Sequence, residues 1–381
     1  MKPRIAIAGG GPGGLTLARI LHRHGWQATV FEREADPLAR PQGGTLDIHE
    51  ESGQHALALA GLTDEFLRIA RYEDQGSKLL DMHGRVLYEE ADAAGGNRPE
   101  VDRTALRAML LASLPDNCVR WNSDVREVRQ NADGGWQLLL ADGFAGNFDL
   151  VVGADGAWSR LRPLLSPYLP QYSGLAFIEF GIDEVDDRHP ALSLLVGRGK
   201  LDAEGEGKGL IVQRNGNAHL RGYAVFRVPM AWVERRFDVA DPVAARAELL
   251  RQFAGFAPEL LDLIRASNDA IAPRYIHALP VGHRWPHRRG ITLLGDAAHL
   301  MSPFGGEGVN AAMLDAAELA MQLVSGGDWD AAVAAYEAHM FERVIEAAEG
   351  SAEAAATQLS HDGLALSLEH WRSHAARPQA A

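Results

Sequence analysis

Short apolar runs punctuated by glycine open the chain. "RIAIA" (Arg4–Ala8) is too brief for a helix and shows no polar alternation, so it predicts a buried strand. The turn "GGGPGG" (Gly9–Gly14) follows, and "LTLARILHRH" (Leu15–His24) predicts a helix that Gly25 ends. "ATVFE" (Ala28–Glu32) predicts a second strand, which completes a strand-helix-strand unit of about 30 residues. Further on, Thr104–Leu114 predicts a helix, and "DLVVGADGAWSR" (Asp149–Arg160) predicts an apolar strand closing in a glycine turn.

From about Gln171 to Ile276 the pattern changes. "GLAFIEFGI", "KGLIVQR" and "HLRGYAVFRV" alternate apolar and polar positions, as in a half-exposed antiparallel sheet. A buried strand returns in "GITLLGDAAHL", followed by a helix in "EGVNAAMLDAAELAMQLVSGG" that a glycine pair ends. The tail carries Val333, Tyr336, His339 or Met340, Val344 and Ala348 as a helical stripe, which packs across both domains or completes one core. The expected fold is therefore α/β: a Rossmann-like nucleotide-binding domain made of residues 1–70, 100–167 and 281–325, interrupted by a mostly antiparallel sheet domain at 71–99 and 168–280, with a C-terminal helical segment at 326–381.

A chain of 381 residues that is 46% hydrophobic can bury the cores of two such domains. The formal net charge of −14 opposes binding to nucleic acid or to anionic membrane surfaces. A single cysteine, Cys118, excludes an internal disulfide framework and a multi-cysteine zinc site, so a cytoplasmic location is expected. Lys2 and Arg4 precede an apolar run that glycines cut short, and no stretch reaches the roughly 18 apolar residues of a membrane span. The pairs His22 with His24 and His283 with His287 lack companion ligands, so no metal is expected. No hydrolase elbow G-x-S-x-G occurs.

Gly9, Gly11 and Gly14 form G-x-G-x-x-G between strand and helix, with Pro12 inside it. In that arrangement the first glycine allows the tight turn, the second admits a pyrophosphate to the backbone amides, and the third lets helix and strand pack closely. The anion then sits at the positive end of the helix dipole. Glu32 closes the second strand where a carboxylate accepts hydrogen bonds from an adenosine ribose, and Arg33 follows it. The motif suits NAD(P) and FAD equally.

Two further stretches, "DLVVGADGAWSRLR" and "GDAAHLMSPFGGEGVN", stand in order behind this fingerprint. With them the chain resembles the FAD-dependent aromatic hydroxylases, the single-component flavoprotein monooxygenases related to para-hydroxybenzoate hydroxylase. Through "ARPQGGTLDIHEESGQ" (Ala39–Gln54) and "EVDRTALRAMLLASL" (Glu100–Leu114) it resembles in particular the tetracycline-inactivating FAD monooxygenases. The resemblance implies FAD as cofactor, NADPH or NADH as a transiently docking reductant, O2 as co-substrate and a small aromatic substrate. It implies no catalytic side chain, because a flavin C4a-hydroperoxide carries the oxygen transfer. A monomer is expected. A flavin-bearing protein that sequesters a drug without turnover and a plain NAD dehydrogenase are the competing readings.

The resemblance also assigns residues. Asp155 belongs to the Asp-Gly motif, Asp296 accepts from the ribityl chain, and Pro303, Gly306, Gly308, Val309 and Asn310 bring a bare helix start against the flavin pyrimidine. Arg103 and Arg107 are four apart and share a helix face toward the cofactor. Arg40 contacts the flavin or gates its movement, and Asp47 touches FAD; by residue type alone both are surface charges. Glu307, a carboxylate that would oppose flavin reduction, is expected to point away. Phe304 forms part of the substrate wall or of the core, and Ser193, Gln213 and Arg221 align with the polar substrate contacts of the sheet. A packed or capping role is the expectation for His299.

Overall fold

The computed structural model describes residues 2–39, 43–90, 97–357, 359–360 and 363–375. The chain divides into two units, one comprising Met1–Ala70, Arg103–Gln171 and His277–Ala352, the other Arg71–Asp102, Tyr172–Ile276 and Glu353–Ala381.

In the first unit a five-stranded parallel sheet runs in the spatial order Ile291–Leu293, Leu150–Gly153, Ile5–Ala8, Ala28–Phe31, Val119–Arg120. Its strands are short and largely apolar because helices must cover both faces of a parallel sheet. The strand at Ile5–Ala8 sits centrally: the chain runs outward from it through Ala28–Phe31 to Val119–Arg120 on one side, then crosses back to add Leu150–Gly153 and Ile291–Leu293 on the other. A crevice consequently opens at the carboxyl ends of Ile5–Ala8 and Leu150–Gly153, the topological switch point. The helix that follows, Pro12–Arg23, starts three residues earlier than its apolar pattern indicates: Pro12 is pre-set for the first helical position, and Gly11 caps it without a side chain. A helix at Arg103–Ala112, one at Glu307–Val324 and the start of the long helix Trp329–Thr357 complete this unit, along with an antiparallel three-stranded meander at 125–148. On the long helix Val333, Tyr336, Met340 and Val344 are buried, so Met340 rather than His339 carries the stripe.

The second unit is built on a seven-stranded sheet in the order Ala272–Ala278, Gln171–Ile182, His219–Arg227, Lys208–Asn215, Lys200–Gly205, Ser77–Asp81, Val86–Glu90. One face packs on helices. Ala176, Ile178, Phe180 and Ile182 join Leu220, Ala224 and Phe226 in a core with Val233, Leu249, Phe253, Leu260 and Leu263. Because side chains alternate along a strand, Phe177, Glu179, Arg221, Tyr223 and Gln213 lie on the opposite face. The segment "PALSLLV" forms a helix, Pro190–Val196, and not sheet.

Phe180 stands directly opposite Gly222 across two strands, and a β-carbon at Gly222 would overlap the Phe180 ring. The Gly222→Val substitution should therefore cost about 1–3 kcal/mol by overpacking. Thermal denaturation followed by circular dichroism should show the loss; an unchanged midpoint would mean that the ring has room to move.

Candidate active site

Of the glycines in the Gly9–Gly14 turn, four are dictated by protein neighbours. A β-carbon at Gly9 would overlap the carbonyl oxygen of Ala154, and one at Gly14 would overlap the carbonyl oxygen of Gly9. At Gly10 it would stand 2.8 Å from a Glu32 carboxylate oxygen, and at Gly13 2.8 Å from Leu294 Cδ1. Gly11 differs. A β-carbon there would meet nothing within 4 Å, and its φ of −80° suits any residue. Neither conformation nor packing demands glycine at Gly11, so the demand comes from what approaches the helix start from outside. A group large and anionic enough to need bare amides at a helix N-terminus fits that place. Gly308, in the first turn of Glu307–Val324, repeats the situation: a β-carbon would meet only Asp296 Oδ1 at 3.8 Å. The two bare helix starts form a cradle that fits a dinucleotide such as FAD.

The turn is held rigid from behind. The Gly10 N–H donates to Glu32 Oε2 at 2.7 Å, and the Gly10 carbonyl accepts from Arg107 Nε at 3.1 Å. Arg107 is buried, with Nη1 2.9 Å from Glu34 Oε2 and Nη2 3.8 Å from Glu32 Oε2. The expectation that Arg103 and Arg107 face the cofactor together thus fails for Arg107. It occupies the buried side of its helix, where charge-assisted bonds fix the loop, while Arg103 is exposed at the helix start. Glu32 accepts from Gly10 and from the Glu34 N–H at 3.0 Å, which makes it a loop anchor as well as a ribose candidate. Arg33 is exposed, Pro12 opens the helix, and Arg40 lies outside the described residues.

Two more turns converge on the crevice. After Leu150–Gly153 comes Asp155, whose Oδ2 accepts from the Arg160 N–H at 2.8 Å, while its buried Oδ1 has no partner within the protein. Burial pushes the Asp155 carboxyl up, against the bonds from Ser159 and Arg160 that pull it down. After Ile291–Leu293 comes Asp296, also raised by burial, with His299, Arg103 and Arg162 acting in the opposite sense. Arg162, almost fully buried, ties the turns together: Nη1 donates to the carbonyls of Asp296 at 3.3 Å and Ala297 at 3.1 Å, and Nη2 to Ala157 at 2.6 Å. The sequence reading missed Arg162, Gly10 and Glu34; the second arginine of "SRLR" was the available signal.

Asn310 is completely buried and spends its amide on protein. Its Oδ1 accepts from the His49 N–H at 2.9 Å, and its Nδ2 donates to the Asp47 carbonyl at 2.9 Å and the Gly306 carbonyl at 3.3 Å. It therefore shapes the Asp47 segment instead of presenting a free amide to a ligand. Asp47 lies 2.9 Å from His49 Nε2, and Glu307 Oε2 lies 3.6 Å from His49 Nδ1. The helix begins at Glu307, not near Val309, and Gly306, at φ +68°, caps it without a side-chain bond. Pro303 and Phe304 form the short 3-10 turn before it, with Phe304 half-buried.

In the second unit, Gln213 and Arg221 are register partners on one face of the sheet. Arg221 pairs with Glu179, which also accepts from Arg274 Nε at 2.8 Å. Ser193 is not with them. It sits on the Pro190–Val196 helix, donating to Asp186 and accepting from Arg214 Nη1 at 3.3 Å, and that arginine points to the other side of the sheet from Gln213. The alignment of Ser193 with the polar contacts of the sheet fails because "PALSLLV" folds as a helix. No group of His, Cys, Asp and Glu suited to a metal ion occurs among the described residues.

Residues 2–339 match the family described as "FAD binding domain". Among curated proteins, the monooxygenase penA of Penicillium thymicola is 34% identical over 369 residues, covering 84% of this chain and 84% of the relative. Among solved structures, Klebsiella pneumoniae HpxO complexed with FAD and uric acid matches with a TM-score of 0.80 at 25% identity, covering 97% of this chain and 92% of that one. The tetracycline destructase Tet(51) shares the fold, with a TM-score of 0.71 at 22% identity over 98% of this chain and 95% of its own.

The Gly11→Ala substitution should change the unfolding free energy of the apoprotein by no more than about 1 kcal/mol, with a correspondingly small shift in thermal midpoint, since only a capping preference changes. It should weaken retention of a dinucleotide by about tenfold or more through steric exclusion from the amides. Fluorescence of FAD released on dilution measures the second effect, and unchanged retention would refute the assignment of the cradle.

Proposed function

The chain belongs to the FAD-binding-domain family and is an FAD-dependent monooxygenase, and from that premise we propose that it uses NAD(P)H and O2 to hydroxylate a fused, electron-rich aromatic compound. The bound flavin supplies the redox and oxygen-transfer chemistry, while the protein binds, orients and excludes water. We assign the pyrophosphate to the amides at Gly11–Gly14, the adenosine ribose to Glu32 with Arg33 beside it, and the ribityl chain to Asp296. Arg103, Asp155 and Asp47 flank these positions, and the amides that follow Gly306 receive the pyrimidine edge. The described residues contain no helix long and apolar enough to cross a membrane.

The observation that carries the substrate class is the sheet face opposite the helical core. Phe177 and Tyr223 pack there at 5.7 Å between ring centroids. Gln213 and Arg221 lie in register beside Tyr223 on its strand and the neighbouring one. Aromatic rings with a few polar groups on rigid strands recognise flat molecules with one or two acceptor oxygens. Arg221 and Arg274 share the single carboxylate of Glu179, leaving one positive charge to attract a phenolate or enolate. Uric acid, which the Klebsiella relative binds, is a flat fused heteroaromatic of this kind. Tetracycline-type antibiotics are the finer reading, supported by the Ala39–Gln54 and Glu100–Leu114 segments; the placement of Ser193 away from Gln213 and Arg221 weighs against it.

The test incubates the holoprotein with NADPH or NADH, O2 and a panel of fused heteroaromatics, phenols and tetracyclines, and reads products that gain one oxygen atom by mass spectrometry. With the substrate so found, Arg221→Met should raise KM about tenfold with a smaller change in kcat, as expected for a lost charge-assisted contact made in ground and transition states alike. Turnover of no aromatic compound, or an Arg221→Met variant with unchanged KM, would overturn the reading.

A further inference from the structure

His299 and Asp315 form a buried pair with no part in the function derived above. Nε2 of His299 lies 2.6 Å from Asp315 Oδ2, and the same oxygen accepts the Gly295 N–H at 2.7 Å. One carboxylate oxygen therefore fastens both ends of the turn Gly295–His299, which carries Asp296 between them. The other oxygen, Oδ1, receives Arg343 Nη2 at 2.6 Å, and that arginine also bonds Glu318 Oε2 at 2.9 Å. Asp315 is completely buried, and Nδ1 of His299 is buried without a partner.

We propose that His299 is a positioning residue for FAD: held as an imidazolium by Asp315, it keeps the neighbouring Asp296 carboxyl ionised, in the form that accepts from a hydroxyl of the cofactor. This rests on the assignment of Asp296 to the ribityl chain.

The charges around the pair support it. Burial alone would push the His299 imidazole down, but the charge and hydrogen bond of Asp315, aided by Asp296, lift it above its ordinary value against Arg343. Asp315 is held down by His299, Arg343 and the Gly295 N–H despite its burial. From the long helix Arg343 and Tyr336 face the pair; from its own helix Asp315 is flanked by Glu318; and from the loop before the last strand His283 Nδ1 donates to the Ala298 carbonyl, 2.6 Å away. Around Asp296 the positive groups are His299, Arg103 and Arg162, with His299 the strongest influence of the three. Asp315 favours the charged form of His299 and extends it to higher pH, while burial favours the neutral form of Asp296 and the charge on His299 opposes that. Asp296, raised by burial, loses its carboxylate as pH falls, and FAD retention falls with it. Removing the imidazolium lets burial act with less opposition and moves that loss to higher pH.

The experiment measures FAD released from the holoprotein on dilution, by its fluorescence, across about pH 5 to 9, the range a histidine-linked effect spans. In His299→Gln the acid limb of retention should move up by about one pH unit, a loss of about tenfold on that limb with little change at the alkaline end. Asp315→Asn should shift it in the same direction, because His299 then loses its counter-charge. In Asp296→Asn the limb should vanish. Weaker retention by the same factor at every pH in His299→Gln, with the limb unmoved, would reduce the pair to a structural brace and overturn the proposal alone. An Asp296→Asn variant with unaltered retention would sink the ribityl assignment and the proposal with it. Should His299→Gln fail to fold, ring-nitrogen NMR of the histidine-labelled parent protein decides the matter: a neutral His299 at pH 7 overturns the proposal, and an imidazolium supports it.

Discussion

A backbone approach too close for any side chain sets the geometry of the nucleotide-binding unit. At φ +109° Gly9 leaves its strand against the Ala154 carbonyl, and the Ala154 N–H in turn donates to the Ala8 carbonyl at 2.8 Å. Two neighbouring parallel strands thus turn away from each other at one point, with no side chain between them. The helix at Pro12–Arg23 can then begin immediately, its first amides open toward the crevice. Had Gly9 carried a β-carbon, it would have overlapped the Ala154 carbonyl oxygen, and the strands would have had to separate. Everything downstream, from the Asp155 turn to the Asp296 turn, is placed relative to this contact.

That contact is supported by charges buried for the purpose of fixing backbone. Arg107 and Glu32 hold the two polar groups of the Gly10 peptide, Arg162 holds the carbonyls at 157, 296 and 297, and Asp315 holds Gly295. Each of these side chains would be costly to bury alone, and each is matched by bonds to groups that would themselves be unsatisfied. The arrangement amounts to pre-organisation. The amides and carboxylates to which we assign the dinucleotide are set in place before it arrives, so less of the binding free energy goes into ordering loops.

The strands of the parallel sheet were legible because short apolar strands, glycine turns and amphipathic helices each leave a local signature. The glycine fingerprint was legible for the same reason, and its spacing carries steric meaning within the protein at Gly9 and Gly14, though not at Gly11. What sequence could not supply was direction. Arg103 and Arg107 share a nominal helix face, yet one is exposed and the other buried, since which side of a helix meets the core depends on the neighbouring strand. Asn310 reads as a ligand contact from its place in "GEGVN", but its amide is used up by Asp47, His49 and Gly306, residues 261 to 263 positions away and four away. Ser193 lies in "PALSLLV", where proline at the first helical position and leucines at helical spacing outweigh a strand reading.

The sheet unit follows a different logic, and that difference accounts for where specificity can change. Its helix-facing side is a tight apolar core in which Gly222 must yield to the Phe180 ring, so sequence there is constrained by volume. The other face is constrained by charge pairing: Glu179 serves two arginines, and Gln213 meets Arg221 across the ladder. Polar pairs on a rigid strand can be exchanged one at a time without disturbing the core behind them, because alternate residues answer to alternate faces. A single fold can in this way keep one cofactor cradle, where nearly every glycine is sterically dictated, and present different polar patterns to different aromatic molecules. In the cradle Gly9, Gly10, Gly13 and Gly14 answer to protein neighbours and Gly11 to what approaches from outside, whereas the sheet face answers to charge pairing alone.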